Sequence, residues 1–227
     1  MAEIEGLVRA LREGDDAAKT AAARQLGFLA FNDAANKALI AKAGGIPPLV
    51  QLLRDGSVWG KQWAARALGY LAWSNAANKF LIAEAGGIAP LVELLRDGSA
   101  QAKEHATWVL NDLALDDNKA LIAEAGGIPP LVELLRDGCA VAMHALRRLT
   151  LNNDANAVAI AASIGFEAVV KLARGGSVTV HHWSVVRNAG VPAKRKAALV
   201  VAALLRDCVP EFKSAPRDIK AVIGSYL

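Results

Sequence analysis

The stretch WGKQWAARALGYLAW, Trp59 to Trp73, sets four large aromatic side chains and an arginine within fifteen residues. At 100° per residue, Trp59, Trp63, Arg66, Tyr70 and Trp73 share one stripe of a helix less than a quarter-turn wide. Their chemistry is that of recognition rather than bond-making. An arginine beside tryptophan offers a planar fork to a carboxylate or phosphate and stacks on the ring, while the aromatics supply apolar anchors. A second stripe beside it, Gly60, Ala64, Ala67, Leu68 and Leu71, is small to medium and apolar.

Other reactive groups do not assemble into a site. His181, His182 and Trp183 invite a metal reading, but His105, His144, Cys139 and Cys208 stand at no ligand spacing to them. A metal needs three or four converging groups, so none is expected, and the His–His–Trp run reads as a secondary contact surface. Lys194, Arg195 and Lys196 fall in the first turn of a helix, where the dipole disfavours cations. They read as a solvated charge cluster or, functionally, as a secondary contact for an acidic partner or a membrane surface. No GxSxG, P-loop, GxGxxG, HExxH or convergent carboxylate pair is present, so neither catalysis nor a cofactor is expected.

Composition narrows the class. The chain has 227 residues, 54% apolar and only 5% aromatic, with a mean hydropathy of +0.27. The longest apolar runs, such as AALVVAALL at Ala197–Leu205, reach about half the ~20 residues of a spanning helix. The start, MAEIEGLVRALREGDD, has no cationic stretch ahead of an apolar one, so no signal peptide is expected. Two widely separated cysteines read as reduced thiols. An intracellular protein, cytoplasmic and/or nuclear, is the expectation. A net charge of +4 permits acidic partners without arguing for nucleic acid.

The elements that position the stripe come from a repeat. NKALIAKAGGIPPLVQLLRDGS begins at Asn36, NKFLIAEAGGIAPLVELLRDGS at Asn78, NKALIAEAGGIPPLVELLRDGC at Asn118, and a worn copy, NAVAIAASIGFEAVVKLARGGS, at Asn156. LVRALREGD at Leu7 matches the second half of the motif. Each copy parses into three helices. A short one runs from Asn36 to about Ala43 and is ended by GG, because glycine accepts the left-handed conformation. IPP opens the second, Pro47 to Asp55. RDGS repeats the punctuation, with Gly56 as the stop and Ser57 as N-cap of the third.

Short, medium and long helices around NKxxIAEAGGIPPLVxLLRDGS resemble armadillo repeats. The resemblance covers roughly residues 3–205 and implies an all-α, right-handed α-solenoid of about four to five repeats. The repeats would fall at 1–31 (partial), 32–74, 75–115, 116–151 and 152–205, the last with an insertion at 177–190. Residues 206–227 would form a C-terminal capping helix. The family further implies that the third helices line a concave groove holding an extended segment of a partner protein.

Aligned in register, the third helices separate into columns. Leu26, Leu68, Leu110 and Leu146 recur as core, as do Leu29, Leu71, Leu113 and Leu149. Ala23/Gly27/Ala30, Ala65/Gly69/Ala72 and Thr107/Asn111/Ala114 are mostly small, which lets neighbouring third helices approach. The stripe of Trp59–Trp73 matches Ala17, Ala21, Arg24, Phe28 and Phe31 before it, and Gln101, His105, Trp108, Asp112 and Leu115 after it. The next copy contributes Val141, His144, Arg148 and Leu151 from a helix about one turn shorter. This stripe varies while the leucines do not, as a binding surface would. The expected groove is therefore Arg24, Phe28, Trp59, Trp63, Arg66, Tyr70, Trp73, His105, Trp108, Asp112, His144 and Arg148. The aromatics would form its floor, with Trp73 placed to tuck under the following short helix.

The importin-α type of armadillo protein carries WxLxN on this helix. Here the Trp position holds Arg24, Arg66, Trp108 and His144, and the Asn position Phe28, Tyr70, Asp112 and Arg148, so the groove resembles the β-catenin style instead. The expected function is a protein–protein interaction scaffold or adaptor binding an extended, acidic or apolar segment. The alternative is a structural subunit held permanently in a larger multiprotein assembly. RNA is disfavoured because Asp112 and the acidic RDG turns interrupt any basic stripe. Membrane contact would be peripheral at most.

Overall fold

The computed structural model describes residues 1–151 and, beyond them, Asn153, Ala155, Asn156, Ala159, Ile160 and Ser163. Among the described residues there are eleven helices and no strand. In order they are α1 (Ala2–Glu13), α2 (Asp16–Ala30), α3 (Ala34–Lys42), α4 (Ile46–Asp55), α5 (Val58–Ala72), α6 (Ala76–Glu84), α7 (Ile88–Asp97), α8 (Ala100–Leu113), α9 (Asp116–Glu124), α10 (Ile128–Arg136) and α11 (Ala140–Thr150). The chain divides into two bodies, Met1–Pro130 and Leu131–Leu227.

In the first body the helix boundaries follow the sequence punctuation. The hydroxyls of Ser57 and Ser99 accept from the amides of Gly60 and Ala102, capping α5 and α8. Asp33 and Asn75 do the same for the short helices α3 and α6. Each GG joint is a Schellman turn. Gly44 takes φ +72°, and the amides of Gly44 and Gly45 donate to the carbonyls of Ala41 and Ile40, both at 2.9 Å.

The glycine of RDGS works differently from the glycines of the GG joint. Gly56 and Gly98 lie in extended backbone, at φ −71° and −73°. Space, not handedness, selects glycine there, since a Cβ on Gly56 would lie 2.5 Å from the Leu52 carbonyl oxygen.

Packing follows the columns. α5 packs against α2, α4 and α8. Leu26, Leu68, Leu110, Leu71 and Leu113 are fully buried. Leu29 departs from its column and is only partly covered, on a helix that packs against one long neighbour where α5 has two. The small column sets the helix spacing, for a Cβ on Gly27 would sit 3.5 Å from the Ala67 Cα. That is ordinary contact rather than overlap. Gly27→Ala is therefore expected to raise stability by roughly 0.5–1 kcal/mol through the better helix propensity of alanine. A shift of the urea unfolding midpoint measures it.

Two polar devices tie successive repeats. Asn36 and Asn78 donate through Nδ2 to the carbonyls of Leu29 and Leu71, both at 3.0 Å, pinning each short helix to the third helix before it. The arginine two residues before the turn glycine reaches forward. Arg12 bonds the carbonyls of Ala43 and Gly44 at 3.4 and 3.3 Å, and Arg54 those of Ala85 and Gly86 at 3.4 and 3.1 Å. Arg96 bonds those of Ala125 and Gly126 at 3.3 and 3.1 Å. Each is a cation on the exposed carbonyls of a helix C-terminus, where the dipole favours it.

In the second body α11 is shorter than α5 and α8, with 11 residues against 15 and 14. Cys139 replaces the capping serine and makes no side-chain cap bond. Leu146 and Leu149 are buried. The expected repeat at 152–205, its insertion at 177–190 and the capping helix at 206–227 lie outside the described residues, apart from the few positions named above. So do His181, His182, Trp183, Lys194, Arg195 and Lys196. Among the described residues no helix is long and apolar enough to cross a membrane, and no three His, Cys, Asp or Glu residues gather as a metal site.

Candidate partner-binding site

The third helices of the first body, α2, α5 and α8, lie side by side, and the variable stripe falls away from the leucine core. Trp59 is 63% exposed and Trp108 46%, with Phe28, Phe31 and Trp73 similarly open. Trp63, Arg66 and Tyr70 are half-buried.

Within the stripe, one cluster joins α2 to α5. The Arg66 guanidinium lies 5.0 Å from the Trp63 ring centre, 5.3 Å from that of Phe28 and 5.4 Å from that of Tyr70. Its Nε donates to the Tyr70 hydroxyl at 3.1 Å. The Arg24 guanidinium lies 5.3 Å from Trp63 and 5.7 Å from Phe28. Phe28 and Trp63 meet at 6.1 Å between centroids, and Phe31 presents an edge contact to Tyr70 at 4.9 Å. The aromatics are thus no bare floor. They seat two arginines, each held by the quadrupoles of two or three rings. Among the described residues neither guanidinium has a carboxylate partner.

The remaining expected residues spread around this cluster. Trp59 and Trp108 stay exposed outside the ring contacts. Trp73 is half exposed. Lys37, from the short helix of its own repeat, lies over its ring at 5.1 Å and donates to its carbonyl oxygen at 2.8 Å. Lys37 is 6% exposed, and burial lowers its ammonium pKa against the pull of Asp112. Asp112 itself pairs with Lys79 at 3.3 Å, so its charge is balanced within the chain. His144 is exposed and Arg148 half-buried on α11, in the second body. The lysines 37 and 79 are what sequence reasoning passed over. The signal was the NK pair that opens three of the four copies.

His105 is half-buried on α8. Burial, then the nearby positive charge of Arg66, lowers its pKa from the ordinary 6.5, with Glu104 opposing. The folded state therefore binds fewer protons than the unfolded chain just below pH 6.5. Stability is accordingly expected to fall as pH drops through that value. Urea titrations at about pH 7.5 and about pH 5.5 (one unit either side of the ordinary histidine value) check it. His105→Gln should flatten the difference.

Two of the repeats, residues 33–73 and 75–114, match the model described as the armadillo/beta-catenin-like repeat. Among solved structures, the chain is similar to an engineered protein with a TM-score of 0.71 and 28% identity, covering 100% of this chain and 98% of that one. It is similar to a designed armadillo repeat protein in complex with the peptide (KR)4, at TM-score 0.69, 22% identity and 99% and 98% coverage. A computationally designed armadillo repeat protein for modular peptide recognition gives 0.69, 24% and 98% of each chain. No curated protein matches the sequence. With its forty-residue periodicity and its three-helix units, the chain has the all-α fold of the armadillo-repeat structures it matches, and residues 33–73 and 75–114 match the armadillo repeat itself.

Proposed function

We propose that this chain is a non-catalytic protein-binding scaffold that captures an extended segment of a partner protein on the exposed stripe of α2, α5 and α8, the segment carrying acidic and apolar side chains. The observation that carries this is the pair Arg24 and Arg66, stacked on Phe28, Trp63 and Tyr70 without an ion-pair partner among the described residues, Arg24 exposed and Arg66 half-buried. Exposed Trp59 and Trp108 flank it as apolar anchors, of the kind that dominate interface energetics. The peptide-bound and peptide-recognising designs among the structural neighbours support a peptide as the partner class. The (KR)4 peptide of one neighbour is basic. Two free arginines favour the opposite charge in this chain. Nucleic acid and membrane have no place in this reading, and a cytoplasmic or nuclear setting goes with it.

The test is selection from a random peptide library on the whole chain, followed by Arg24→Ala and Arg66→Ala. Trp63→Ala is a poorer probe, because Trp63 is half-buried and supports both arginines. Acidic peptides with apolar flanks are expected to be selected. Their affinity should fall about tenfold or more in each arginine variant, the loss of a charge-assisted bond, while the unfolding midpoint stays within a few degrees. Selection of basic peptides, or binding indifferent to both substitutions, refutes the proposal. Selection of nothing favours the permanent-subunit reading.

A further inference from the structure

The two arginines come from different helices yet use the same supports. Both guanidiniums lie within 5.7 Å of the centres of the Phe28 and Trp63 rings. Two like charges held over shared rings repel each other, and the ring quadrupoles offset only part of that. A single carboxylate on this pair would leave one positive charge unbalanced.

Orientation adds a second constraint. Arg66 has committed its Nε to the Tyr70 hydroxyl, so the edge it offers a ligand is the fork of its two terminal amino groups. Such a fork takes two oxygens of one tetrahedral anion. The neighbouring groups do not compete. Asp112 is tied to Lys79, and burial, then Arg66, lowers the pKa of His105.

We infer that the partner segment places a phosphorylated serine or threonine on Arg24 and Arg66, so that one phosphate group bridges the two guanidiniums. This rests on the partner-binding reading of the same face. A phosphomonoester carries about −1.5 to −2 charge near neutral pH and three strong acceptor oxygens, matching two cations. A nucleic-acid phosphodiester carries a single charge. Its bases would also need ring faces to stack on, and guanidiniums already lie over those of Phe28, Trp63 and Tyr70.

The experiment uses the full chain and three degenerate peptide libraries with identical flanks, centred on phosphoserine, glutamate and serine. Retention is expected to be about tenfold higher for the phosphoserine library than for the glutamate one, and lowest for serine. In Arg24→Gln, at an exposed position, the phosphoserine advantage should collapse to the glutamate level with the circular dichroism and melting curve unchanged. Arg24→Lys, which keeps the charge but loses the planar fork, should fall between and guards against a folding failure of the first variant. Equal retention of the phosphoserine and glutamate libraries overturns the phosphate inference and leaves partner binding standing. Retention of neither above serine sinks both. Displacement of the phosphopeptides by oligouridylate at lower concentration than by free phosphopeptide overturns it in favour of RNA.

Discussion

Leu68→Ala is expected to lower the unfolding free energy by about 3 kcal/mol, within the ~2–5 kcal/mol range for buried leucine truncations. Leu68 is 0% exposed on α5, and α5 is held by α2, α4 and α8 at once. A cavity there has rigid walls on several sides, and the surrounding helices cannot close it without separating contacts elsewhere. Trp59→Ala, on the same helix, should change stability by no more than about 0.5 kcal/mol, because the ring is largely in solvent. Urea unfolding of the two variants separates core from recognition stripe on one element. A loss below about 1 kcal/mol for Leu68→Ala would mean that the leucine column is not the core.

Gly86→Val should be nearly as damaging, at about 3 kcal/mol, for two independent reasons. Gly86 holds φ +73°, a left-handed conformation that costs an ordinary residue about 1–2 kcal/mol and a β-branched one more. A Cβ there would also come within 2.7 Å of Arg54 Nη2. The guanidinium must then leave the carbonyls of Ala85 and Gly86, each such bond contributing about 1 kcal/mol. Arg54→Ala removes the clash but not the backbone strain, so the double variant should lose less than the sum of the single losses. Strict additivity, measured by denaturant titration, would show that Arg54 and Gly86 do not interact.

Much of this was legible in the sequence, and the residues show why. NK, GG, IPP and RDGS are local signals, so the caps at Ser57 and Ser99 and the turn at Gly44 could be read directly. The columns Leu26/Leu68/Leu110 and Ala23/Ala65/Thr107 follow from helical periodicity plus the repeat register, and both are buried. Sequence did not disclose how one repeat is offset against the next. The contact of Arg24 with Trp63 depends on that offset, and the reach of Lys37 to the Trp73 carbonyl, 36 residues away, on how the first and third helices of one repeat pack. Periodicity within one helix placed Trp63, Arg66 and Tyr70 on a common face. It had no means of showing that a second arginine from α2 shares their rings, or that Lys37 covers Trp73. Gly56 ends α4 as expected, and what periodicity could not show is that room rather than handedness selects it.

The arginine ties have a consequence for how such a chain grows. Arg12, Arg54 and Arg96 take hold of main-chain oxygens only, so beyond room at the glycine they cross, the grip asks little of the side chains in the module it receives. In the second body Arg136 still donates to the Ser163 carbonyl at 3.2 Å, although the sequence there has drifted from EAGG to ASIG. A coupling that survives such drift lets modules be duplicated, deleted or reordered like beads on a string. Each copy is then free to change the face it shows to the outside.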